Sequence, residues 1–188
     1  MGSALPRDSF VATRLEQVFH RCFAASENTR LIGGASEPVY LPAGGERPCS
    51  ELYYREDFFA SALHEIAHWC IAGRERRLQV DFGYWYAPEG RNAGQQQAFE
   101  AVEVKPQALE WILSQACAYR FRLSADNFNA DGSCPDNRAF ADAVTRQAAA
   151  WQAQGLPPRA ALLFTALAAE FRSGARLAAL VFERDSIL

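Results

Sequence analysis

His64 and His68 are the residues whose type and spacing most directly indicate chemistry, because they enclose Glu65 in an H-E-x-x-H motif. On an α-helix, residues four positions apart lie on the same face, so both imidazoles can reach one metal ion. Glu65 would then lie beside that ion. The motif therefore predicts a divalent metal site with Glu65 as a catalytic residue.

A metal site of this kind needs a third protein ligand, and the sequence offers carboxylates for it. The remaining histidine, His20, lies on a different predicted helix and has no companion motif. Glu100 and Glu103 are three residues apart and would share one helical face, while Gln107 could hydrogen-bond to a ligating histidine. The candidate carboxylates are Asp81, Glu89, Glu100, Glu103 and Glu110.

Two histidines and one carboxylate permit two different chemistries. With zinc, bound water has a lowered pKa and Glu65 would act as the general base of a metallopeptidase. With Fe(II), open coordination positions accept dioxygen and substrate, as in an oxygenase. Spacing alone does not choose between them, but an H-E-x-x-H motif on a helix with a downstream glutamate favours the zinc peptidase. A non-catalytic structural metal is disfavoured, because structural zinc sites usually have four protein ligands, frequently cysteine, and no cysteines cluster in sequence near His64.

Hydrophobic periodicity and turn signals predict the elements that must position these residues. The motif lies in a helix predicted over 57–72, with Asp57 as its N-cap and Gly73 at its end. Cys70 in this helix is predicted to be a buried, small apolar residue. The other predicted elements are helices over 9–25 (N-cap Asp8), 95–120, 140–154 and 158–171, and strands over 39–41 and 78–86.

A proline lies inside the helix predicted over 95–120. Pro106 should either kink this helix or begin a new one.

The predicted elements together favour an α+β fold, in which one helix-rich domain over residues 1–188 carries a small sheet. Residues 1–8 are expected to be a flexible tail.

Composition limits the functions that the chain can have. Its 188 residues are 49% hydrophobic and 22% charged, which is typical of one globular domain. A net charge of −3 predicts no general affinity for nucleic acid or membranes. Five cysteines without a C-x-x-C pair indicate reduced thiols. No signal peptide or apolar segment of about 20 residues is found, so a cytoplasmic location is expected.

Several longer motifs resemble those of the elongation factor P hydroxylase family. The three main ones are H-E-I-A-H-W-C-I-A-G at 64–73, V-D-F-G-Y-W-Y at 80–86 and F-E-A-V-E-V-K-P-Q-A-L-E-W at 99–111. Two shorter ones are N-T-R-L-I at 28–32 and E-P-V-Y-L-P at 37–42. Three long motifs in the right order are far more specific than the pentapeptide alone.

The resemblance implies an enzyme that hydroxylates one modified lysine of translation elongation factor P. This lysine already carries a β-lysyl group. It also implies that His64, His68 and Glu103 hold the metal, in a fold similar to that of the zincin-like metallopeptidases but without proteolysis. Zinc has no accessible redox change, so Fe(II) with O2 as cosubstrate is expected. The H-x-D pattern of 2-oxoglutarate oxygenases is absent, so 2-oxoglutarate is not expected.

Further residues are expected to lie around the metal and the substrate. Glu100 and Gln107 are expected to contact the metal ligands, rather than the metal, and to hold them in position. Asp81, Tyr84 and Trp85, which follow the metal helix, are expected to contact the substrate. Aromatic faces could hold the cationic lysyl arm by cation–π contacts of about 0.5 to 2 kcal/mol each.

Overall fold

A computed structural model describes residues 10–82, 91–125 and 136–188 of the chain. Within these ranges it contains five α-helices and a three-stranded sheet, which confirms the predicted α+β class with a small sheet. The tail predicted for residues 1–8 and the N-cap Asp8 lie outside the described residues. In chain order the elements are α1 (Ala12–Phe23), β1 (Thr29–Ala35), β2 (Val39–Leu41), β3 (Ser50–Arg55), α2 (Phe59–Ile71), α3 (Ala93–Ala116), α4 (Arg138–Gln154) and α5 (Pro158–Glu170).

The sheet is built around β3, which lies between the other two strands. β1 runs parallel to β3, and β2 runs antiparallel to it. Ser50, Leu52 and Tyr54 are buried, whereas the residues between them are less so, because successive side chains point to opposite faces of a strand. β3 also contacts α2. The sheet therefore supports the helix that carries the H-E-x-x-H motif.

Only β2 among the three strands was predicted, and its bounds are correct. β1 was missed because Gly33 and Gly34 suggest a turn. Gly33 instead lies where the chain passes close to Tyr54, since a Cβ at residue 33 would be 2.5 Å from Tyr54 Oη. The Gly33 N–H and the Tyr54 hydroxyl both donate hydrogen bonds to Glu16 Oε1, at 3.0 and 2.9 Å. The glycine is thus required by tertiary packing.

The strand predicted over 78–86 is wrong for the residues that the structure describes. Leu78 ends a 3-10 turn that begins at Arg76, and Asp81 forms only an isolated antiparallel bridge with Tyr40. The apolar alternation does not face a core here, because Val80 and Phe82 are 52% and 65% exposed. Residues 83–86 lie outside the described ranges.

The helices were predicted more accurately than the strands, with errors at their ends. α2 begins after Phe58 without a side-chain cap, so the predicted N-cap at Asp57 is wrong. α3 begins with a capping box formed by Asn92 and Gln95, and it continues through Pro106, so the alternative of a new helix start at the proline is wrong. α4 and α5 are confirmed, each within two residues of the predicted ends.

Aromatic and aliphatic packing holds α2 in place. The rings of Phe19 and Phe23 on α1 lie 4.9 and 4.8 Å from the ring of Trp69 on α2, measured between centroids. α2 also contacts α3, and Ile66 of α2 and Leu109 of α3 are both fully buried. The two helices that carry the predicted metal ligands therefore pack directly against each other.

The cysteines are free thiols wherever the structure describes them, namely at Cys22, Cys49, Cys70 and Cys117. Cys70 is only 3% exposed, which confirms that it is buried, and burial raises the pKa of its thiol to about 12. Cys134 lies outside the described residues.

Among the described helices, none combines the length and apolar character needed to cross a membrane.

Candidate metal centre

The two motif histidines lie one helical turn apart on α2, and their rings converge. The distance between His64 Nε2 and His68 Nε2 is 3.1 Å, and the ring centroids are 4.7 Å apart. This follows from the spacing of four residues, which places both side chains on one helical face. Both side chains keep some solvent exposure, 28% for His64 and 19% for His68.

Glu103 reaches the same point from α3. Its Oε1 lies 3.2 Å from His68 Nε2, and its Oε2 lies 3.6 Å from His64 Nε2. The side chain is buried, with only 5% of its surface exposed. The potential ligand atoms of the three residues all lie within 4.8 Å of one another.

The arrangement of these three side chains fits a divalent metal ion. Glu103 Oε2 is buried and has no hydrogen-bond donor among the described residues. A buried carboxylate oxygen without a partner is energetically costly unless a cation interacts with it. Two imidazole nitrogens and one carboxylate are a ligand set that zinc and iron both accept, with coordination positions left for a reactant.

The charges around the two imidazoles also favour a cation. Burial would lower the pKa of His64, but the hydrogen bond and charge of Glu110, together with the charges of Glu65 and Glu103, raise it to about 10. Burial would raise the pKa of Glu103, but the hydrogen bond and charge of His68 lower it overall. The carboxyl groups of Glu65, Glu103 and Glu110 therefore favour a positive charge at His64, which a bound divalent cation could supply.

Glu110 contacts the opposite edge of the His64 ring. Its Oε2 lies 2.8 Å from His64 Nδ1, and the residue is 8% exposed. Glu110 was a candidate for the third ligand, but it does not belong to the converging group of His64, His68 and Glu103. Of the candidate carboxylates that the structure describes, Glu103 is the one whose oxygens approach both Nε2 atoms.

The remaining candidate carboxylates have other surroundings. Glu100 accepts a hydrogen bond from Gln96 Nε2 at 2.9 Å, on the preceding turn of α3. Asp81 forms an ion pair with Arg76. Glu89 lies outside the described residues. Neither Glu100 nor Asp81 belongs to the group of potential metal ligands that the described residues form.

Gln107 supports Glu103 and a neighbouring loop. Its amide nitrogen donates to the carbonyl of Ser124 at 2.7 Å, and its amide oxygen accepts from the Ser124 N–H at 3.1 Å. It also interacts with the Glu103 carboxylate and contributes to lowering its pKa. The sequence predicted a contact of Gln107 with a histidine. In the structure Gln107 interacts instead with the Glu103 carboxylate and with the backbone of Ser124.

Glu65 lines a pocket beside the histidines. Burial raises the pKa of its carboxyl group, although His64 and His68 oppose this effect. Asp81 lies in the same pocket, whereas Tyr84 and Trp85 are outside the described residues. The pocket is lined by, among others, Tyr40, Glu65, His68, Trp69, Arg76 and Asp81. Of the three candidate metal ligands, His68 lines this pocket.

Comparison with known proteins identifies the family. The family described as elongation factor P hydroxylase matches residues 18–181, which is most of the chain. The chain belongs to this family. A relative from Haemophilus influenzae named elongation factor P lysine hydroxylase is 51% identical over 152 residues, which cover 81% of this chain and 84% of that protein.

The elongation factor P hydroxylase family match confirms the resemblance found in the sequence motifs. It spans the three converging residues and Glu110. The family description and the name of the relative both refer to a hydroxylase rather than a peptidase. The ligand set allows either a hydroxylase or a zinc peptidase, and the comparison therefore favours the hydroxylase.

Two contacts at this site were not recognised in the sequence. The contact of Glu110 with His64 had a usable sequence signal, because Glu110 lies two helical turns after Glu103 and so on the same side of α3.

The contact of Arg159, on α5, with the end of α2 had no such sequence signal. Its Nη2 donates to the carbonyls of Trp69, Cys70 and Ala72, at 3.0, 3.2 and 2.5 Å, and so caps the end of α2.

Proposed function

We propose that this protein hydroxylates elongation factor P at the lysine that already carries a β-lysyl group. The observation that carries this proposal is the convergence of His64, His68 and Glu103 within 4.8 Å, in a chain that belongs to the elongation factor P hydroxylase family. The 51% identity to a protein named elongation factor P lysine hydroxylase supports the same substrate.

In this proposal His64, His68 and Glu103 hold Fe(II). A redox-active metal bound there would supply electron-transfer chemistry that zinc lacks. O2 is the cosubstrate: one oxygen atom enters a C–H bond of the lysyl arm and the other leaves as water. An external reductant supplies the two electrons, and two protons come from solvent. 2-Oxoglutarate is not included, because the chain has no H-x-D motif.

The remaining site residues bind the substrate and handle protons. Glu65 lies in the pocket beside His68, and its raised pKa suits a group that holds a proton next to the reaction centre. Asp81 lines the same pocket in an ion pair with Arg76, and we assign its carboxylate to binding the cationic lysyl arm. We assign Tyr84 and Trp85 to the same arm, and Glu100 and Gln107 to supporting α3 around Glu103.

The proposal includes an arrangement of α2 and the sheet like that of the zincin-like metallopeptidases, within one domain over residues 1–188. The packing of β3 against α2 supports this. It also includes a cytoplasmic location, since the substrate is a translation factor. Neither nucleic acid nor a membrane takes part, in keeping with the net charge of −3.

Mass spectrometry of elongation factor P tests the proposal. Cells with the wild-type protein should contain a modified peptide heavier by one oxygen atom than the peptide from cells without it. The His64→Ala variant should abolish this difference. An unchanged mass in the presence of the wild-type protein would contradict the proposed function.

Metal analysis of protein purified without oxygen tests the metal. Iron bound in proportion to the protein, and lost in His64→Ala, is the expected result. Stoichiometric zinc together with cleavage of peptides would instead favour the metallopeptidase.

A further inference from the structure

Glu110 is a buried carboxylate that the proposed reaction does not use, and it makes a direct contact with a candidate metal ligand. Its Oε2 lies 2.8 Å from His64 Nδ1, within the range of a strong charge-assisted hydrogen bond. Glu110 and Glu103 both lie on α3, seven residues apart. One helix therefore places a carboxylate on each side of the His64 ring.

The two nitrogens of His64 face different partners. Nε2 points toward His68 Nε2, at 3.1 Å, and toward Glu103. Nδ1 faces Glu110 instead. Nε2 can bind a metal only when the imidazole is neutral and carries one N–H and one lone pair, and a carboxylate beside Nδ1 keeps that one remaining proton on Nδ1. The other nitrogen is then left with its lone pair available to a metal.

We propose that Glu110 is a positioning residue that accepts the Nδ1–H of His64 and thereby holds the Nε2 lone pair toward the metal site. This inference rests on the metal site of the proposed function, but not on the identity of the substrate. Carboxylates that hydrogen-bond to metal-ligating histidines fix the tautomer and the ring orientation, and also raise the basicity of the ligand. Glu110 occupies the position required for all three effects.

Metal affinity is the first test of this role. Metal-free wild type, Glu110→Gln and Glu110→Ala are titrated with Zn²⁺ in competition with a chromogenic chelator, and folding is checked by circular dichroism. We expect the dissociation constant to rise about tenfold or more in both variants. The matched control is Glu46→Gln, because Glu46 is an exposed residue in the loop between β2 and β3 and its substitution should leave the site unchanged. A rise of less than about threefold in both Glu110 variants would overturn the proposal.

The tautomer of His64 is the second test and needs no substitution. Zinc-loaded wild type is diamagnetic, so nitrogen chemical shifts of ¹⁵N-labelled histidine report which ring nitrogen carries the proton. The expected result is a proton on Nδ1 of His64 and none on Nε2. A proton on Nε2, or metal bound through Nδ1, would overturn the role of Glu110 even if its variants fail to fold.

Neither test measures hydroxylation, so the two proposals fail separately. If zinc affinity and the tautomer do not depend on Glu110 but wild type still hydroxylates elongation factor P, only the positioning role is wrong. If Glu110 controls the metal affinity but wild type leaves elongation factor P unchanged, only the proposed substrate is wrong.

Discussion

At the scale of single residues, Glu65 is distinguished from its neighbours in the H-E-x-x-H motif by its position. The carboxylate lines the pocket beside His68 and does not belong to the group of potential ligands. Its pKa is raised by burial. These observations support the proposed role in proton handling rather than a role in holding the metal.

We therefore predict that Glu65→Gln keeps nearly all of the bound metal but slows hydroxylation about 100-fold, the usual scale for loss of a general acid or base. Metal content is measured by elemental analysis of anaerobically purified protein, and turnover by mass spectrometry of elongation factor P. His64→Ala is the comparison, because it should lose the metal as well. Metal loss from Glu65→Gln as complete as from His64→Ala would show that Glu65 is a ligand.

Thiol reactivity at the residue scale should follow burial. Burial raises the pKa of Cys70 to about 12, and it also raises the pKa of Cys117, so both thiols stay protonated at pH 8. Thiolate is the reactive form, and its fraction grows only as the pH approaches the pKa. We expect iodoacetamide at pH 8 to modify the partly exposed Cys49 in the folded protein, and Cys70 only after unfolding. Peptide mass mapping checks this, and rapid labelling of Cys70 in the native protein would contradict it.

At the scale of elements, the position of α2 depends on a contact from the far end of the chain. Arg159 of α5 donates to three carbonyls at the C-terminal end of α2. Its guanidinium also lies 4.8 Å from the centroid of the Trp69 ring. A cation at this end of a helix interacts favourably with the helix dipole. Arg159 thus ties α5 to the helix that carries both histidines.

Removal of this contact should destabilise the fold. We predict that Arg159→Ala lowers the free energy of unfolding by about 2 kcal/mol, since hydrogen bonds from a charged donor are lost. Arg159→Lys should recover part of the loss, because it keeps the charge but not the planar fork of donors. Chemical denaturation measures the effect, with the exposed Arg146→Ala on α4 as the control. Equal stability of Arg159→Ala and Arg146→Ala would show that the capping contact contributes little.

At the scale of the whole molecule, the proposed metal would connect α2 to α3. A ligand that binds only the folded state stabilises it by about 2.7 kcal/mol at a free concentration 100 times its dissociation constant. We therefore predict that Zn²⁺ raises the melting temperature of metal-free protein and that a chelator reverses the rise. His68→Ala should abolish this increment.

His20→Ala provides a matched control for the metal-dependent stability. The imidazole of His20 bonds to the backbone of Leu31, where Nε2 lies 3.0 Å from the carbonyl oxygen and 3.1 Å from the amide nitrogen. Its loss should lower the melting temperature but leave the increment due to Zn²⁺ intact. An increment that survives in His68→Ala, or disappears in His20→Ala, would place the metal elsewhere.

The sequence by itself determined the elements and residues whose signals are local. The spacing of His64 and His68 on a helix depends only on helical geometry, and α4 and α5 have clear apolar periodicity bounded by glycine and proline. The family resemblance also came from contiguous motifs. These features need no information about what packs against them.

The tertiary structure decided what depends on partners distant in the chain. Spacing left five carboxylates open as the third ligand, and the packing of α3 on α2 brings Glu103 to both Nε2 atoms and Glu110 to Nδ1. Gly33 lies in a strand rather than a turn, and the absence of a Cβ there allows Tyr54 to approach closely. Such choices are made by contacts between elements, and the free energy of those contacts is not contained in any local stretch of residues.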